Sequence, residues 1–133
     1  MKSIAIFICV LIFFSGDIYA QWIEAGRSTD NSIYYLRKHS EKYGSTKVWV
    51  KEVSKSLAYY TKTGKKAFIN GYSMTLYDTN CDEKQLALVS LTVYNLSGNV
   101  VSTTKLEEYE IDWQDVIPDS VGEMILTKAC ELL

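Results

Sequence analysis

The side chains with the most distinctive chemistry in this 133-residue chain are three cysteines and a single histidine. Cys9 lies in an N-terminal apolar run, which leaves Cys81 and Cys130 for the folded part. Two cysteines without a histidine partner make a poor metal site, because structural zinc takes four nitrogen or sulfur ligands. Two cysteines allow only one internal pairing, so we predict a Cys81–Cys130 disulfide, with two separate thiols as the alternative, and no metal.

Histidine and carboxylate catalysis finds little support. His39 stands beside Arg37 and Lys38 in a predicted loop, and its spacing shows no partner of the kind that a general base or a haem ligand needs. The acidic run over 107–112 could provide a catalytic pair of carboxylates, but such a run is typically a solvated strand end. No glycine-rich phosphate loop and no nucleophile elbow is present. We therefore predict no enzymatic activity and no cofactor.

The first twenty residues predict export. A positive start at Lys2 precedes an apolar run over 4–14, and Ala20 offers a small residue at the cut position. The apolar run is about half as long as a bilayer core requires, which disfavours a membrane anchor. We predict a secretory signal peptide over 1–20 and a single domain over 21–133, without a membrane span after cleavage. The periplasm, secretion and the cell surface are all open as destinations.

The charge of the chain argues against a nucleic-acid partner. The formal net charge is −2, and the signal removes one lysine and one aspartate, so cleavage leaves this balance unchanged. A nucleic-acid binder normally shows a strong basic excess. Lysines gather in the first half of the chain and acidic residues in the second. This segregation could favour an anionic partner or the pairing of one chain with another, or two faces of one fold that attract each other.

Alternation of apolar and polar residues predicts strands through most of the chain. Val48 and Val50 are expected on one face of a strand, with Trp49 on the other face between two lysines. The predicted strands are 22–26, 33–36, 47–53, 72–77, 85–94 and 100–106.

The C-terminal residues predict a helix. Asp119 and Ser120 offer an N-cap, and the apolar residues that follow fall on one half of a helical wheel, with Met124 as the outlier. A disulfide from Cys130 to Cys81 would close a loop of about fifty residues and contribute roughly 4 kcal/mol. We predict an α+β fold, in which an antiparallel β-sheet of about six strands carries a C-terminal α-helix on one face, tied by this disulfide.

The candidate binding surface lies mostly in the segment 58–66. This segment combines aromatic anchors with a basic tip on a connection longer than a tight turn, where function tends to reside. A solvated loop is the alternative. The candidate residues are Tyr59, Tyr60, Lys62, Lys65, Lys66 and Trp49.

Several short pieces of the chain, in this order, resemble the surface-adhesin protein E family over essentially all of 21–133. The pieces are Trp22–Gly26 with Ser32–Tyr35, Lys47–Lys51, Tyr77–Asp82, Tyr94–Val101, and Trp113 with Ile117–Ser120 and Cys130.

The resemblance implies a non-enzymatic exported bacterial binding module that contacts host extracellular-matrix proteins or envelope proteins and pairs as a homodimer. An adhesin of this family is expected to carry a lipoprotein signal, and this chain has no cysteine near Ala20 to receive the lipid. The alternatives are a structural or accessory periplasmic domain without a ligand of its own and, less favoured, a binder of haem or another small molecule.

Overall fold

The structure is a computed structural model that describes residues 21–39 and 46–133. The predicted signal peptide over 1–20 lies outside the described residues. The predicted domain boundary at residue 21 therefore stays a prediction.

In the described part of the chain, seven strands form one antiparallel sheet. The strands are β1 (Ile23–Arg27), β2 (Ile33–Lys38), β3 (Lys47–Tyr60), β4 (Lys66–Asn80), β5 (Gln85–Asn95), β6 (Val100–Lys105) and β7 (Trp113–Asp115). Strands β1 to β5 each pair with the next strand along the chain, and β7 pairs with β5. Each strand from β1 to β6 is therefore joined directly to its neighbour in the sheet, as in a meander.

The two faces of the sheet differ in what covers them. Val48 and Val50 are buried on the face that packs against the C-terminal helix, which we call the helix face. Trp49, between them, points to the opposite or open face and is only partly buried. Successive side chains of a strand alternate between faces, so the predicted orientation of these three residues is confirmed.

The helix α1 (Val121–Leu132) covers one end of the helix face. The Ser120 hydroxyl accepts a hydrogen bond from the Glu123 backbone N–H at 3.2 Å, which caps the first turn. Ile125 and Leu126 are buried, and full burial of such a side chain stabilises the fold by about 1.5–3 kcal/mol. The core cluster consists of Leu36, Val48, Val50, Leu86, Ile125, Leu126 and Ala129.

Met124, the outlier on the helical wheel, packs against the first strand. A Cβ atom added to Gly26 would lie only 2.4 Å from the Met124 sulfur. The absence of a side chain at Gly26 thus makes room for Met124, and a flexible thioether suits such an irregular gap.

The predicted disulfide is present. Cys81 follows β4 and Cys130 lies in the last turns of α1, with 5.9 Å between their Cα atoms. The bond ties the helix to the end of the sheet, and the predicted α+β fold with a helix on one face is confirmed.

The third and fourth strands are longer than the sequence pattern predicted. Strand β3 continues to Tyr60 rather than ending at Val53, and β4 begins at Lys66 rather than Tyr72. The connection is therefore shorter than the segment 58–66, since only residues 61–65 lie outside the strands. The short β7 at Trp113–Asp115 is an additional strand beyond the six that the sequence predicted.

Candidate functional site

Strands β3 and β4 extend beyond their neighbours in the sheet. Strand β2 pairs with β3 only as far as Val53, and β5 pairs with β4 only from Gly71 onward. From the pair Leu57–Ile69 outward, β3 and β4 pair only with each other among the described residues. We call the resulting two-stranded ribbon, residues 57–69, the arm. An isolated two-stranded hairpin is only marginally stable in water, so little stabilises the arm except its attachment to the sheet.

Local turn chemistry closes the arm. The Thr61 backbone N–H donates to the Lys65 carbonyl at 2.9 Å, and the Gly64 N–H donates to the Thr61 carbonyl at 2.9 Å. Gly64 has a φ of +78°, a left-handed conformation that glycine adopts without steric cost. The sequence Thr-Lys-Thr-Gly-Lys is therefore well suited to a tight reversal at this point.

A β-bulge lies at the base of the arm. The pairing of β3 with β4 shifts between Ser54 and Leu57, and the Ser54 hydroxyl accepts a hydrogen bond from the Ser56 N–H at 3.1 Å. A bulge bends its strand and increases the local twist, which redirects the ribbon beyond it. The exposed Lys55 lies in this bulge and adds a positive charge at the base of the arm.

The arm exposes two large aromatic side chains among lysines. Tyr60 is 65% exposed and Phe68 is 62% exposed. The cross-strand pairs place both rings on the open face together with Lys66, whose Nζ atom lies 5.6 Å from the Phe68 ring centroid. Lys62 and Lys65 are exposed in the turn. Aromatic side chains are enriched at the centre of protein interfaces, and charged side chains such as lysine belong to the polar rim.

The positive charges of the arm are not neutralised within the described chain. Across residues 21–39 and 46–133, no ion pair includes Lys62, Lys65 or Lys66. Three cations that the fold itself does not pair can therefore interact with an external anion.

The arm contains five of the six candidate residues, and Trp49 lies elsewhere. Trp49 shares the open face with Tyr60 and Lys66, but the distance along β3 from Trp49 to Tyr60 exceeds about 30 Å. Its ring lies 5.9 Å from the His39 ring at the other end of the strand. Tyr59 points to the helix face and is partly buried.

Phe68 belongs to the arm and was not among the predicted residues. Ala67, Phe68 and Ile69 form a short apolar run, which is compatible with a strand and would place Phe68 and Ile69 on opposite faces. This run is visible in the sequence. It points to Phe68 as a strand residue only if β4 is predicted to begin before residue 72.

A polar cluster lies on the helix face between α1 and the arm. Glu52 is opposite Tyr34 on β2 and opposite Ser73 on β4. Burial raises the pKa of the Glu52 carboxyl, although a hydrogen bond with the Tyr34 hydroxyl opposes this. Burial, followed by the nearby Glu52 charge, raises the pKa of Tyr34, and burial also raises the pKa of Tyr77. The cluster keeps a carboxylate in a partly desolvated position at neutral pH.

We expect the substitution Glu52→Gln to stabilise the fold at pH 7.5, by less than about 1 kcal/mol because Glu52 stays partly solvated. The folded-state pKa of Glu52 lies above its unfolded value, so ionisation costs stability as pH rises through the folded pKa. The difference in melting temperature between variant and wild type should therefore shrink as pH falls toward 4. Thermal melts from pH 4 to pH 8 measure it, with Glu83→Gln at an exposed turn as the control. A variant that melts below the wild type at pH 7.5 would contradict this account.

The other candidate catalytic groups are engaged in structural contacts. The acidic run forms a 3-10 turn at Glu108–Glu110, in which the Glu110 carboxylate accepts a hydrogen bond from the Glu107 N–H at 2.8 Å. Among residues 21–39 and 46–133, no cluster of His, Cys, Asp or Glu side chains is arranged to hold a metal ion. No helix in this described part is long and apolar enough to cross a membrane.

Comparison with known families decides where this chain belongs. A family-wide sequence profile described as surface-adhesin protein E matches residues 22–131. The chain belongs to the surface-adhesin protein E family. The match includes the arm and both cysteines of the disulfide. No curated protein and no solved structure matches the chain.

Membership of the surface-adhesin protein E family suggests a surface adhesin. It likewise suggests a non-enzymatic protein that is exported or displayed at the surface and binds other molecules.

Proposed function

We propose that this protein is a non-enzymatic binding module, exported by the signal peptide over 1–20, that contacts a protein partner through the arm. The observation that supports this most directly is the exposure of Tyr60 and Phe68 on a ribbon that no other described strand pairs with. Exposed apolar side chains give up no burial within their own fold when they bind. Their burial against a partner removes apolar surface from water, which is favourable.

The chemistry of the arm defines the partner surface. Tyr60 and Phe68 are suited to an apolar depression, and Lys62, Lys65 and Lys66 to carboxylates at its rim. Charges at an interface rim mainly raise the association rate and select the partner, whereas buried aromatic side chains provide most of the affinity. The partner is therefore a protein with an acidic, partly apolar surface, either in the extracellular matrix of a host or in the envelope of the cell itself.

A binding role also agrees with how the polar groups of the fold are used. The carboxylates of Glu107 and Glu110 cap a turn, and the two cysteines form the disulfide. Side chains committed to such structural contacts are poor general acids, bases or nucleophiles.

We expect the triple substitution Lys62→Gln, Lys65→Gln and Lys66→Gln to weaken binding by roughly 10- to 100-fold, at about 0.5–1 kcal/mol for each charge. The salt dependence of binding should become flatter, because fewer charges are screened. The exported protein, purified after expression of the full chain, can be measured by biolayer interferometry. The probes are a panel of purified extracellular-matrix proteins and solubilised envelope proteins.

The matched control replaces three lysines outside the arm, Lys84, Lys105 and Lys128, with glutamine. This variant has the same net charge as the arm variant and should bind like the wild type. Equal affinity of the arm variant and the wild type would refute the role of the arm. Failure of the wild type to bind any protein in either set would instead favour an accessory domain without a ligand of its own.

A further inference from the structure

The outer edge of β4 lacks a partner strand along the arm. Beyond Gly71, β4 loses its partner β5, because the chain of β5 reverses at Asn95 into β6. The Asn95 N–H donates to the Asn99 carbonyl at 3.0 Å, which closes this reversal. Among the described strands, none takes the place of β5 beside residues 66–70, which we call the β4 edge.

The turn of the arm determines which backbone groups point outward along the β4 edge. The Thr61 N–H donates to the Lys65 carbonyl, so these two residues form a hydrogen-bonded pair. Hydrogen-bonded and non-hydrogen-bonded pairs alternate along an antiparallel ladder. The N–H and C=O groups of Lys66 and Phe68 are therefore directed away from β3. Such outward groups are the positions at which a further strand can pair.

The side chains of the same residues lie on the open face. Lys66 and Phe68 are exposed there, and the exposed Asn70 continues the row. Ala67 and Ile69 point to the helix face and are only partly exposed. An added strand would thus meet a cation and an aromatic ring next to outward backbone groups. Main-chain hydrogen bonds and contacts to alternate side chains are the two components of binding by strand addition.

The opposite edge of the arm, along β3, is less suited to strand addition. Two residues of β3, 55 and 56, lie opposite Asn70 alone, so the bulge at the base of the arm belongs to β3. The Ser56 N–H is also engaged, since it donates to the Ser54 hydroxyl at 3.1 Å. A bulge twists an edge and protects it from pairing, whereas β4 stays regular along the arm.

Charge selects the occupant of the β4 edge. Lys62, Lys65 and Lys66 surround it, and lysines at a sheet edge discourage indiscriminate pairing. A second arm would bring the same cations to this edge, where like charges repel. A strand with a carboxylate opposite Lys66 and an apolar side chain opposite Phe68 is instead attracted. We propose that the β4 edge takes an extended acidic segment of the partner protein as an additional antiparallel strand.

The sheet defines the direction and the pattern of the added segment. The segment continues the line of β5, which runs antiparallel to β4, and antiparallel pairing is slightly more stable per residue than parallel pairing. From its N-terminus, every second residue is polar opposite Asn70, apolar opposite Phe68 and acidic opposite Lys66. This inference rests on the proposed function and deepens it, because it states how the arm holds the same protein partner.

N-methylated peptides test the backbone contacts. The probe is the synthetic peptide acetyl-Thr-Val-Leu-Thr-Glu-Asp-amide, whose leucine and glutamate lie opposite Phe68 and Lys66. Methylation of the leucine and glutamate nitrogens removes the N–H groups that face β4, whereas methylation of the valine and second threonine nitrogens alters only the far side. NMR titration of the exported protein should show roughly 10-fold weaker binding for the first methylated peptide and unchanged binding for the second. Equal binding of the two methylated peptides, or no binding of the parent peptide, would overturn the proposal.

Amide hydrogen exchange identifies the edge that the peptide occupies. The parent peptide should slow the exchange of the Lys66 and Phe68 amide protons, which point to solvent in the unbound protein. The amide protons of Ala58 and Tyr60, their partners on β3, point to the opposite edge and should exchange as before. Protection of Ala58 and Tyr60 without protection of Phe68 would contradict the assignment to the β4 edge.

Two substitutions at one position isolate the same contact within the protein. Lys66→Ala and Lys66→Pro both remove the charge, but only proline also removes the backbone N–H. Lys66 is the first residue of β4, a position at which a strand accepts proline, and circular dichroism establishes that both variants are folded. The proline variant should bind the parent peptide roughly 5-fold more weakly than the alanine variant. Equal binding of the two folded variants would refute strand addition.

The outcomes separate this inference from the proposed function. Binding of a foreign protein that needs the lysines of the arm but is equal for Lys66→Ala and Lys66→Pro rejects only strand addition. Protection of the β4 edge by the parent peptide, without binding of any foreign protein, rejects only the proposed function. Protection that rises with protein concentration in the absence of peptide would assign the edge to a second copy and overturn the acidic segment as occupant.

Discussion

Replacing both Cys81 and Cys130 with alanine is expected to lower the free energy of unfolding by about 4 kcal/mol. The disulfide joins residues 49 positions apart, so it removes a large part of the conformational freedom of the unfolded chain. A domain of this size is typically stable by only 5–15 kcal/mol, roughly, so the loss is a large share of the total. The loss of stability should also be uneven across the fold, because the disulfide attaches α1 to the sheet.

Urea unfolding measures the total loss, and hydrogen exchange measures its distribution. We expect amide protons of α1 to lose protection first, since the helix is short and marginal without its contacts to the sheet. Reduction of the wild type with dithiothreitol should reproduce the loss, whereas the double variant should not respond to the reductant. A double variant that unfolds at the same urea concentration as the wild type would show that helix packing alone maintains the attachment.

Replacing Gly71 with alanine is expected to destabilise the fold by about 3 kcal/mol, at the upper end of the range for overpacked sites. Gly71 lies in β4, opposite Asn95 of β5, at the point where the arm leaves the sheet. A Cβ atom at this position would lie 2.0 Å from the backbone oxygen of Tyr94. The clash is with backbone, so no rotation of a side chain can relieve it and the pairing of the two strands must shift.

Gly122 provides the matched control for Gly71. It lies in the first turn of α1, and a Cβ atom there would meet its nearest neighbour, the Ser120 hydroxyl, at 3.4 Å, an ordinary contact. Alanine is preferred over glycine in a helix by up to about 1 kcal/mol, so Gly122→Ala should stabilise the fold. Urea unfolding of both variants measures the contrast. A Gly71→Ala variant as stable as the wild type would mean that the close approach of β4 and β5 is not required.

The disulfide and the helix were predictable because each depends on a simple property of the sequence. Cys81 and Cys130 had only each other as partners once Cys9 was assigned to the predicted signal. The helix was visible from its cap at Ser120 and from a broad apolar stripe. Its outlier, Met124, could not be explained from the sequence, because the gap that it fills is created by Gly26 on a strand far away in the chain.

The length of the arm was not predictable in the same way. The lysines and the glycine over 61–66 interrupt the alternating pattern, so the sequence favoured a loop over most of 58–66. In the structure, cross-strand pairing continues to Tyr60 and Lys66. Pairing partners on two strands reinforce each other even where one strand alone has a weak pattern, and this reinforcement is not visible in either segment by itself.

The sequence by itself determined which side chains share a face, because alternation along a strand and the 3.6-residue period of a helix are local properties of the chain. It therefore predicted the buried positions of Val48 and Val50, the apolar stripe of α1 and the covalent tie between helix and sheet. Only the tertiary structure decided that the arm extends beyond its neighbours and that Trp49 lies far from it. These features depend on where β2 and β5 stop pairing, and strand register arises from contacts between residues that are distant in sequence.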